Sequence, residues 1–357
     1  MVIIKELLEL PPFSMPSAKK SQLFRNELQK LTLHHYQHCP EYRRILDALN
    51  VNPFVPREPA EFPFLPVGLF KIFHLSSVKK SEVTSTLKSS GTSGQQVSQI
   101  TLDKVTSIYQ KKVLAKITTD FIGSTRLPML VLDSSSVLED RAMFSARGAG
   151  ILGFGNFGTG TTYAFDEKME VNFELIEAFL HKHTGQKILL FGFTFMVWQH
   201  FVLALKKRGS RLALENGVLI HGGGWKKLQD QAVDTHTFQQ AIQEVSGITQ
   251  IHNYYGMAEQ TGSIFMECQM GHYHCSIFSE VFIRRNDFSI CALGEKGLIQ
   301  VVSLLPYSYP GHVLLTEDRG TLMGEDDCPC GRLGRYFVVH GRIEQAELRG
   351  CSDTYQG

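Results

Sequence analysis

No stretch of the chain approaches the ~18–20 consecutive apolar residues that a membrane-spanning helix needs, so no membrane span is expected. The opening segment, MVIIKELLEL, carries acids inside its apolar run and lacks a small-residue cleavage site, so it does not read as a secretory leader. A basic excess is missing too. Lysine plus arginine number 36 and aspartate plus glutamate 35, giving a formal charge of +1. No nucleic-acid partner is expected, because such binders carry a basic surplus. Cysteine is scarce, with 7 in 357 residues: Cys39, Cys268, Cys275, Cys291, Cys328, Cys330 and Cys351. An odd, sparse set crowded toward the end is not a secreted disulfide framework. It suggests a reducing, cytoplasmic setting with thiols available for metal or for chemistry. Internal repeats and low-complexity tracts are missing as well.

What is there is a globular chain. Hydrophobic residues make up 43% and charged residues 20%, enough to bury a sizeable core. Residues 17–50 predict two helices, from the spacing of Phe24, Leu28, Leu31 and His35 and then of Tyr42, Ile45, Leu46 and Leu49. Pro40 suits the first turn of the second helix, where its missing N–H does no harm. A proline-rich connector follows, with Pro53, Pro56, Pro59, Pro63 and Pro66 forbidding a long helix. Short apolar runs at 128–133, 187–192, 217–222 and 249–256 then end in glycine or aspartate, and helical patterns lie between them. The clearest helix runs from Phe195 to Lys206, Lys207, Arg208 and Gly209, closing on cations and a glycine. Alternation of this kind predicts an α/β fold with a mostly parallel sheet flanked by helices. After residue 272, SEVFIRR, GLIQVVSLL and GHVLLTED predict a smaller antiparallel subregion. The expected segmentation is a helical region 1–60, an α/β core 61–270, a β-rich subregion 271–340 and a tail 341–357.

Four places could carry chemistry. In Lys88-Ser89-Ser90-Gly91-Thr92-Ser93-Gly94-Gln95, small hydroxyl and glycine residues can close backbone N–H groups and hydroxyls around phosphate oxygens. It is not the GxxxxGK[ST] nucleotide loop, because no lysine follows the second glycine. Tyr254-Tyr255-Gly256-Met257-Ala258-Glu259 ends a predicted strand, where open α/β sheets bind ligands, and Glu259 could hold Mg²⁺. His221-Gly222-Gly223-Gly224-Trp225 lets a planar ligand approach the backbone. In Thr316-Glu317-Asp318-Arg319-Gly320, followed by Gly341-Arg342, the aspartate can take ribose hydroxyls and the arginine a phosphate. Taken singly, each also reads as an ordinary turn or loop. Gly153-x-Gly155-x-x-Gly158 matches a dinucleotide fingerprint, but only the short AGIL precedes it and the β-branched TGTTYAF follows. It is expected to be a glycine-rich turn lining an apolar pocket.

The order of these pieces resembles the motif series of the adenylate-forming superfamily, whose members make an acyl adenylate from a carboxylic acid and ATP. Within it the chain looks most like the acyl-protein synthetase (LuxE) family, a relative of phenylacetate–CoA ligase. The residues that carry the resemblance are HHYQHCPEYRRIL, FPFLPVGLFK, SSGTSGQ, YYGMAEQTG, CPCGRLGRYFVVHGR and LRGCSDTYQ, spread over residues 34–356. The resemblance implies that Ser89, Ser90, Gly91, Thr92, Ser93 and Gly94 embrace the ATP phosphates. It implies that Gly222, Gly223, Gly224 and Tyr255, which precedes Gly256, flank the adenine, and that Glu259 helps hold Mg²⁺. Asp318 would bind the ribose hydroxyls, and Arg342 the ribose or α-phosphate. Three departures stand out. Ala258 replaces a usual threonine, the segment from Gln95 lacks the usual lysine, and the chain ends 15 residues after Arg342. The superfamily's mobile C-terminal domain, with its catalytic lysine, is therefore expected to be absent, leaving Lys88, Arg332 or Arg335 as substitutes.

In this family the acyl group passes to a cysteine near the C-terminus, which implies Cys351 as the acceptor. A long-chain fatty acid is the implied substrate. An acyl reductase, making aldehyde for luciferase, is the implied partner. Phe154, Phe157, Phe191, Phe193 and Phe195 could line an acyl cavity or belong to the core. Other readings are an acyl- or aryl-CoA ligase and a non-catalytic nucleotide- or acyl-binding scaffold for a reductase. Separately, Cys268, His274, Cys328 and Cys330 offer three thiolates and an imidazole, the donor set of a tetrahedral structural Zn²⁺ site, with His272 and Cys275 as rival ligands.

Overall fold

The computed structural model describes residues 2–88, 97–138, 146–225 and 231–343. In chain order the strands begin with β1 (Leu65–Pro66), β2 (Val83–Lys88), β3 (Gln99–Asp103), β4 (Leu127–Ser134) and β5 (Gly158–Phe165). Next come β6 (Ile188–Phe193), β7 (Gly217–Gly222), β8 (Gln250–Tyr255), β9 (Phe265–Glu267) and β10 (Tyr273–His274). The last four are β11 (Ser279–Arg284), β12 (Lys296–Ser303), β13 (Val313–Glu325) and β14 (Arg335–Arg342). The described residues divide into two units: those of 2–121 with 256–343, and those of 122–255.

The contiguous unit, 122–255, is a parallel sheet in the order β8-β7-β6-β4-β5. Each of β4, β6 and β7 is buried along its whole length, as strands covered on both faces must be. That is why they read as short unbroken apolar runs. Helices Phe173–Lys182 and Thr235–Ser246 begin on side chains that accept a first-turn N–H: Asn172 from Leu175 at 3.0 Å, and Asp234 from Thr237 at 2.7 Å. The stretch expected as one helix to Gly209 includes a π-helical turn, Val197–Val202, before Leu203–Arg208. Gly209 ends it at φ 65°, in the left-handed region. The glycine-rich turn expected at Gly153–Gly158 begins in the last residues of a helix, Ala146–Gly155, and turns at Asn156 and Phe157 into β5. A Cβ on Gly150 would lie 3.0 Å from the Phe193 ring and 3.5 Å from that of Phe191. Close packing therefore selects glycine there against its poor helix propensity.

The other unit is antiparallel, in the order β11-β12-β13-β14-β10-β9, as expected for the region after residue 272. The short β1 adds a parallel edge to β13, pairing Leu65 with Leu314, and β2 and β3 form a separate hairpin. Helix Ser17–His38 buries Phe24, Leu28, Leu31 and His35, the stripe its spacing predicts, and Pro40 opens helix Pro40–Ala48. A buried ion pair, Lys20 Nζ to Glu280 Oε2 at 3.2 Å, ties that first helix to β11.

Candidate functional site

In the parallel unit, the glycine triplet leaves the C-terminal end of β7 beside the end of β8, where Gly222 pairs with Tyr254. A Cβ on Gly222 would lie 2.2 Å from the Tyr254 ring, so only glycine admits that ring against the backbone. Gly223 has φ +74°, which again favours glycine. Thr194 Oγ1 donates to the Gly223 carbonyl at 2.8 Å and contacts His221 Nδ1 at 2.9 Å, fixing the turn from β6. Burial pushes His221 down to about 3, so it stays neutral. Tyr254, the register partner of Gly222, is the ring laid on the glycine turn, and Tyr255 follows it at the end of β8. Phe154, Phe157, Phe191, Phe193 and Phe195 are all buried, and Phe154 stacks on Phe191 at 4.7 Å, the packing of a core.

In the antiparallel unit, Glu259 sits on the short turn Ala258–Gln260 and is 6% exposed. Its place is over-determined. Gly262, at φ +90°, presses on Gln110, whose carbonyl oxygen would lie 2.6 Å from an added Cβ. Gln260 donates to the Gly311 carbonyl at 2.8 Å. Burial pushes the Glu259 carboxyl up, while Ser98 and the Lys71 ammonium oppose that and the Glu317 charge adds to it. A buried carboxylate with a second acid nearby is a donor set suited to a hard divalent cation. On β13 and β14, Asp318 is the register partner of Arg342, and Arg342 Nε stands 3.9 Å from Asp318 Oδ1. The two halves of the fourth sequence motif, 24 positions apart, thus meet.

The same unit gathers the cysteines. One ligand atom each from Cys268, His274, Cys328 and Cys330 lies within 4.8 Å of every other. Cys268 follows β9, His274 ends β10, and Cys328 and Cys330 belong to the connection from β13 to β14. Cys268 and His274 are fully buried, and burial lowers His274 to about 3, holding its imidazole neutral. Of the rivals, His272 Nδ1 lies 3.5 Å from Cys328 Sγ, beside the set. Cys275 belongs to other surroundings, with Glu280, Lys20 and Arg335 as its charged neighbours.

Two of the expected lysine substitutes are engaged elsewhere. Arg332 pairs with Asp120 at 2.8 Å and lies over Phe121, and Arg335 pairs with Glu325 at 2.9 Å. Ser89, Ser90, Gly91, Thr92, Ser93, Gly94 and Cys351 lie outside the described residues. Among the described residues, no helix is long and apolar enough to cross a membrane.

In fold the chain is similar to 2-hydroxyisobutyryl-CoA ligase. Against its open conformation, in complex with 2-HIB-AMP and CoA, the TM-score is 0.68 at 15% identity, covering 94% of this chain and 79% of that one. Against its postadenylation state, in complex with 2-HIB-AMP, the score is 0.66 at 15% identity, covering 92% and 69%. In sequence it is 23% identical over 333 residues to a long-chain-fatty-acid–luciferin-component ligase of Vibrio harveyi, covering 89% of this chain and 83% of that protein. A ligase of the same description from Photorhabdus luminescens is 36% identical over 72 residues, 20% of this chain and 60% of that protein. The match to the family described as acyl-protein synthetase, LuxE, runs over residues 2–356, so the chain belongs to that family and is an acyl-protein ligase.

Proposed function

We propose that the protein activates a long-chain fatty acid with ATP and passes the acyl group to its own Cys351, from which an acyl-protein reductase takes it. The fatty carboxylate oxygen attacks the α-phosphorus of ATP, and the bond to pyrophosphate breaks. The Cys351 thiolate then attacks the acyl carbonyl carbon, a thioester forms, and AMP leaves with the bonding electron pair. Ser89, Ser90, Gly91, Thr92, Ser93 and Gly94 hold the phosphates, where fixed donors stabilise developing charge. Gly222, Gly223, Gly224 and Tyr255 take the adenine, with Gly256 completing the turn. Asp318 and Arg342 take the ribose and α-phosphate, and Glu259 holds Mg²⁺.

The observation that carries this reading is the family match over residues 2–356. The Asp318–Arg342 pairing and the buried Glu259 support the residue assignments. The Vibrio harveyi relative's description supports the substrate class.

The test incubates the protein with radiolabelled tetradecanoate and MgATP, without coenzyme A. Label should stay on the wild-type chain, leave with hydroxylamine, and be missing from Cys351→Ser. Equal labelling of that variant removes Cys351 as the acceptor. Turnover that needs coenzyme A and survives Cys351→Ser makes the protein a CoA ligase instead.

A further inference from the structure

We infer that Cys268, His274, Cys328 and Cys330 form a tetrahedral Zn²⁺ site that clamps the turn of the β13–β14 hairpin to the β9–β10 hairpin. The distances suit it. With Zn–S about 2.3 Å and Zn–N about 2.0–2.1 Å, a tetrahedron has S···S edges of about 3.8 Å and S···N edges of about 3.6 Å. Cys268 Sγ to Cys328 Sγ is 4.0 Å, and Cys330 Sγ to His274 Nε2 is 3.3 Å. Three sulfurs and one imidazole, from segments some sixty positions apart, therefore surround a space of one ion's size. Soft thiolates with imidazole in a tetrahedral array select zinc over magnesium or calcium.

The backbone around the thiols is built alike on both sides. Cys268-Gln269-Met270-Gly271 and Cys328-Pro329-Cys330-Gly331 are both Cys-x-x-Gly turns. In each, the glycine N–H donates to the first cysteine's carbonyl at 2.9 Å. Gly271 has φ +75° and Gly331 has φ +82°. These turns bring backbone N–H groups near the sulfurs: Met270 N–H reaches Cys268 Sγ at 3.4 Å. Such donors offset the negative charge of a metal thiolate. His272, beside Cys328, is left as an outer partner whose N–H can do the same.

The position gives the site a purpose. Cys328 and Cys330 lie at the turn end of the β13–β14 hairpin, and Asp318 and Arg342 face each other at its open end. Between them the ladder slips twice, at Arg319/Gly320 and at Leu322/Gly324. Each slip leaves a residue unpaired and locally disrupts the ladder. A metal fixed at the turn holds it from one end.

The test needs no fatty acid. Elemental analysis of the purified full chain should find about one zinc per chain, and a content far below that overturns the site. Titrating the thiols of the wild-type protein with an organomercurial should release the zinc in step with three sulfurs, a readout that needs no variant to fold. Zinc retained after those sulfurs are blocked overturns the assignment. Cys330→Ser and His274→Ala, which remove ligands, should lower zinc content roughly tenfold or more. His272→Ala, which removes an outer donor, should weaken affinity while the site still fills at excess zinc, and Cys351→Ser should change neither. Loss with His272→Ala and retention with His274→Ala overturns the ligand set. So does a Cys268–Cys328 disulfide peptide in zinc-free protein. Because Cys351→Ser keeps zinc in any case, failure of fatty-acid loading and failure of this site are separate results.

Discussion

The two units bury charge in different ways. Among its described residues the parallel unit, 122–255, holds one buried ion pair at the C-terminal end of β4: Asp133 Oδ2 lies 2.9 Å from Arg147 Nε, with both side chains at most 7% exposed. Among the described residues Arg147 Nη1 has no hydrogen-bond partner, and burial pushes Asp133 up to about 6 against the opposing Arg147 charge. The antiparallel unit holds Lys20 with Glu280, Glu259, and the sulfur–imidazole cluster. A parallel sheet sheathed by helices has few polar groups to offer a buried charge, so Asp133 can be relieved by taking up a proton. In the antiparallel unit the charges join elements distant in sequence, 260 positions apart for Lys20 and Glu280. The lesson is that buried charge fastens one unit together and is a titratable weak point in the other.

The largest expected effect comes from breaking the fastening. Lys20→Met should leave Glu280 buried without its partner and cost about 3–5 kcal/mol in urea unfolding. Arg147→Met should cost less at pH 5 than at pH 8, because Asp133 is the acid that neutralises readily. Equal costs for the two variants at both pH values would abolish the distinction between the units.

Next come two of the glycines under close contact, one from each unit. Gly262→Ala meets the Gln110 backbone at 2.6 Å and also requires φ +90°, so nothing cheap can move. Gly222→Ala meets the Tyr254 ring at 2.2 Å, and a ring can swing aside. Both should destabilise within the range of about 1–3 kcal/mol typical of overpacking, with Gly262→Ala the larger. Gly222→Ala should weaken nucleotide binding more than it weakens the fold. Calorimetric melting and ATP titration on the same samples would separate the two effects. A Gly222→Ala protein with unchanged ATP affinity removes the glycine turn from the nucleotide site.

Much of this comparison was legible in the sequence. The four apolar runs are β4, β6, β7 and β8 to within about two residues at each end. For β4, β6 and β7 the reason is burial on both faces, which leaves an uninterrupted apolar signature, while β8 is buried only at Ile251 and His252. Helix 146–155 was not legible. Gly148, Gly150, Gly153 and Gly155 argue against a helix locally, and the reason Gly150 is tolerated, the Phe191 and Phe193 rings, comes from a strand forty positions away. The π turn at Val197–Val202 leaves no mark on apolar spacing either. At the cysteine cluster the expected set with His274 is the one the structure gathers, though His272 remained a rival in the sequence. His272 and His274 are two apart on an extended segment, so both fall on one side of it. Which of two adjacent tyrosines lies on Gly222 is set by strand register, which the sequence does not carry, and it is Tyr254.

The smallest effect is a pH dependence, and its sign follows from the direction of the Asp133 shift. The folded carboxyl titrates at about 6, above the ordinary 3.8. The folded state therefore binds its proton more tightly than the unfolded chain does. The stability contributed by that proton is fully present below the ordinary carboxylate pKa and is lost as pH rises through about 6. Wild-type protein should thus lose a few degrees of melting temperature between pH 5 and pH 7 from this group alone. Asp133→Asn, which has no proton to lose, should flatten that part of the profile while lowering the whole curve, because Arg147 then has no carboxylate. Lys20→Met, acting in the other unit, should leave the slope between pH 5 and pH 7 as it is. A wild-type profile that rises across that interval, or an Asp133→Asn profile of unchanged slope, would mean that Asp133 stays ionised beside Arg147, and that the parallel unit binds its buried charge as firmly as the antiparallel one.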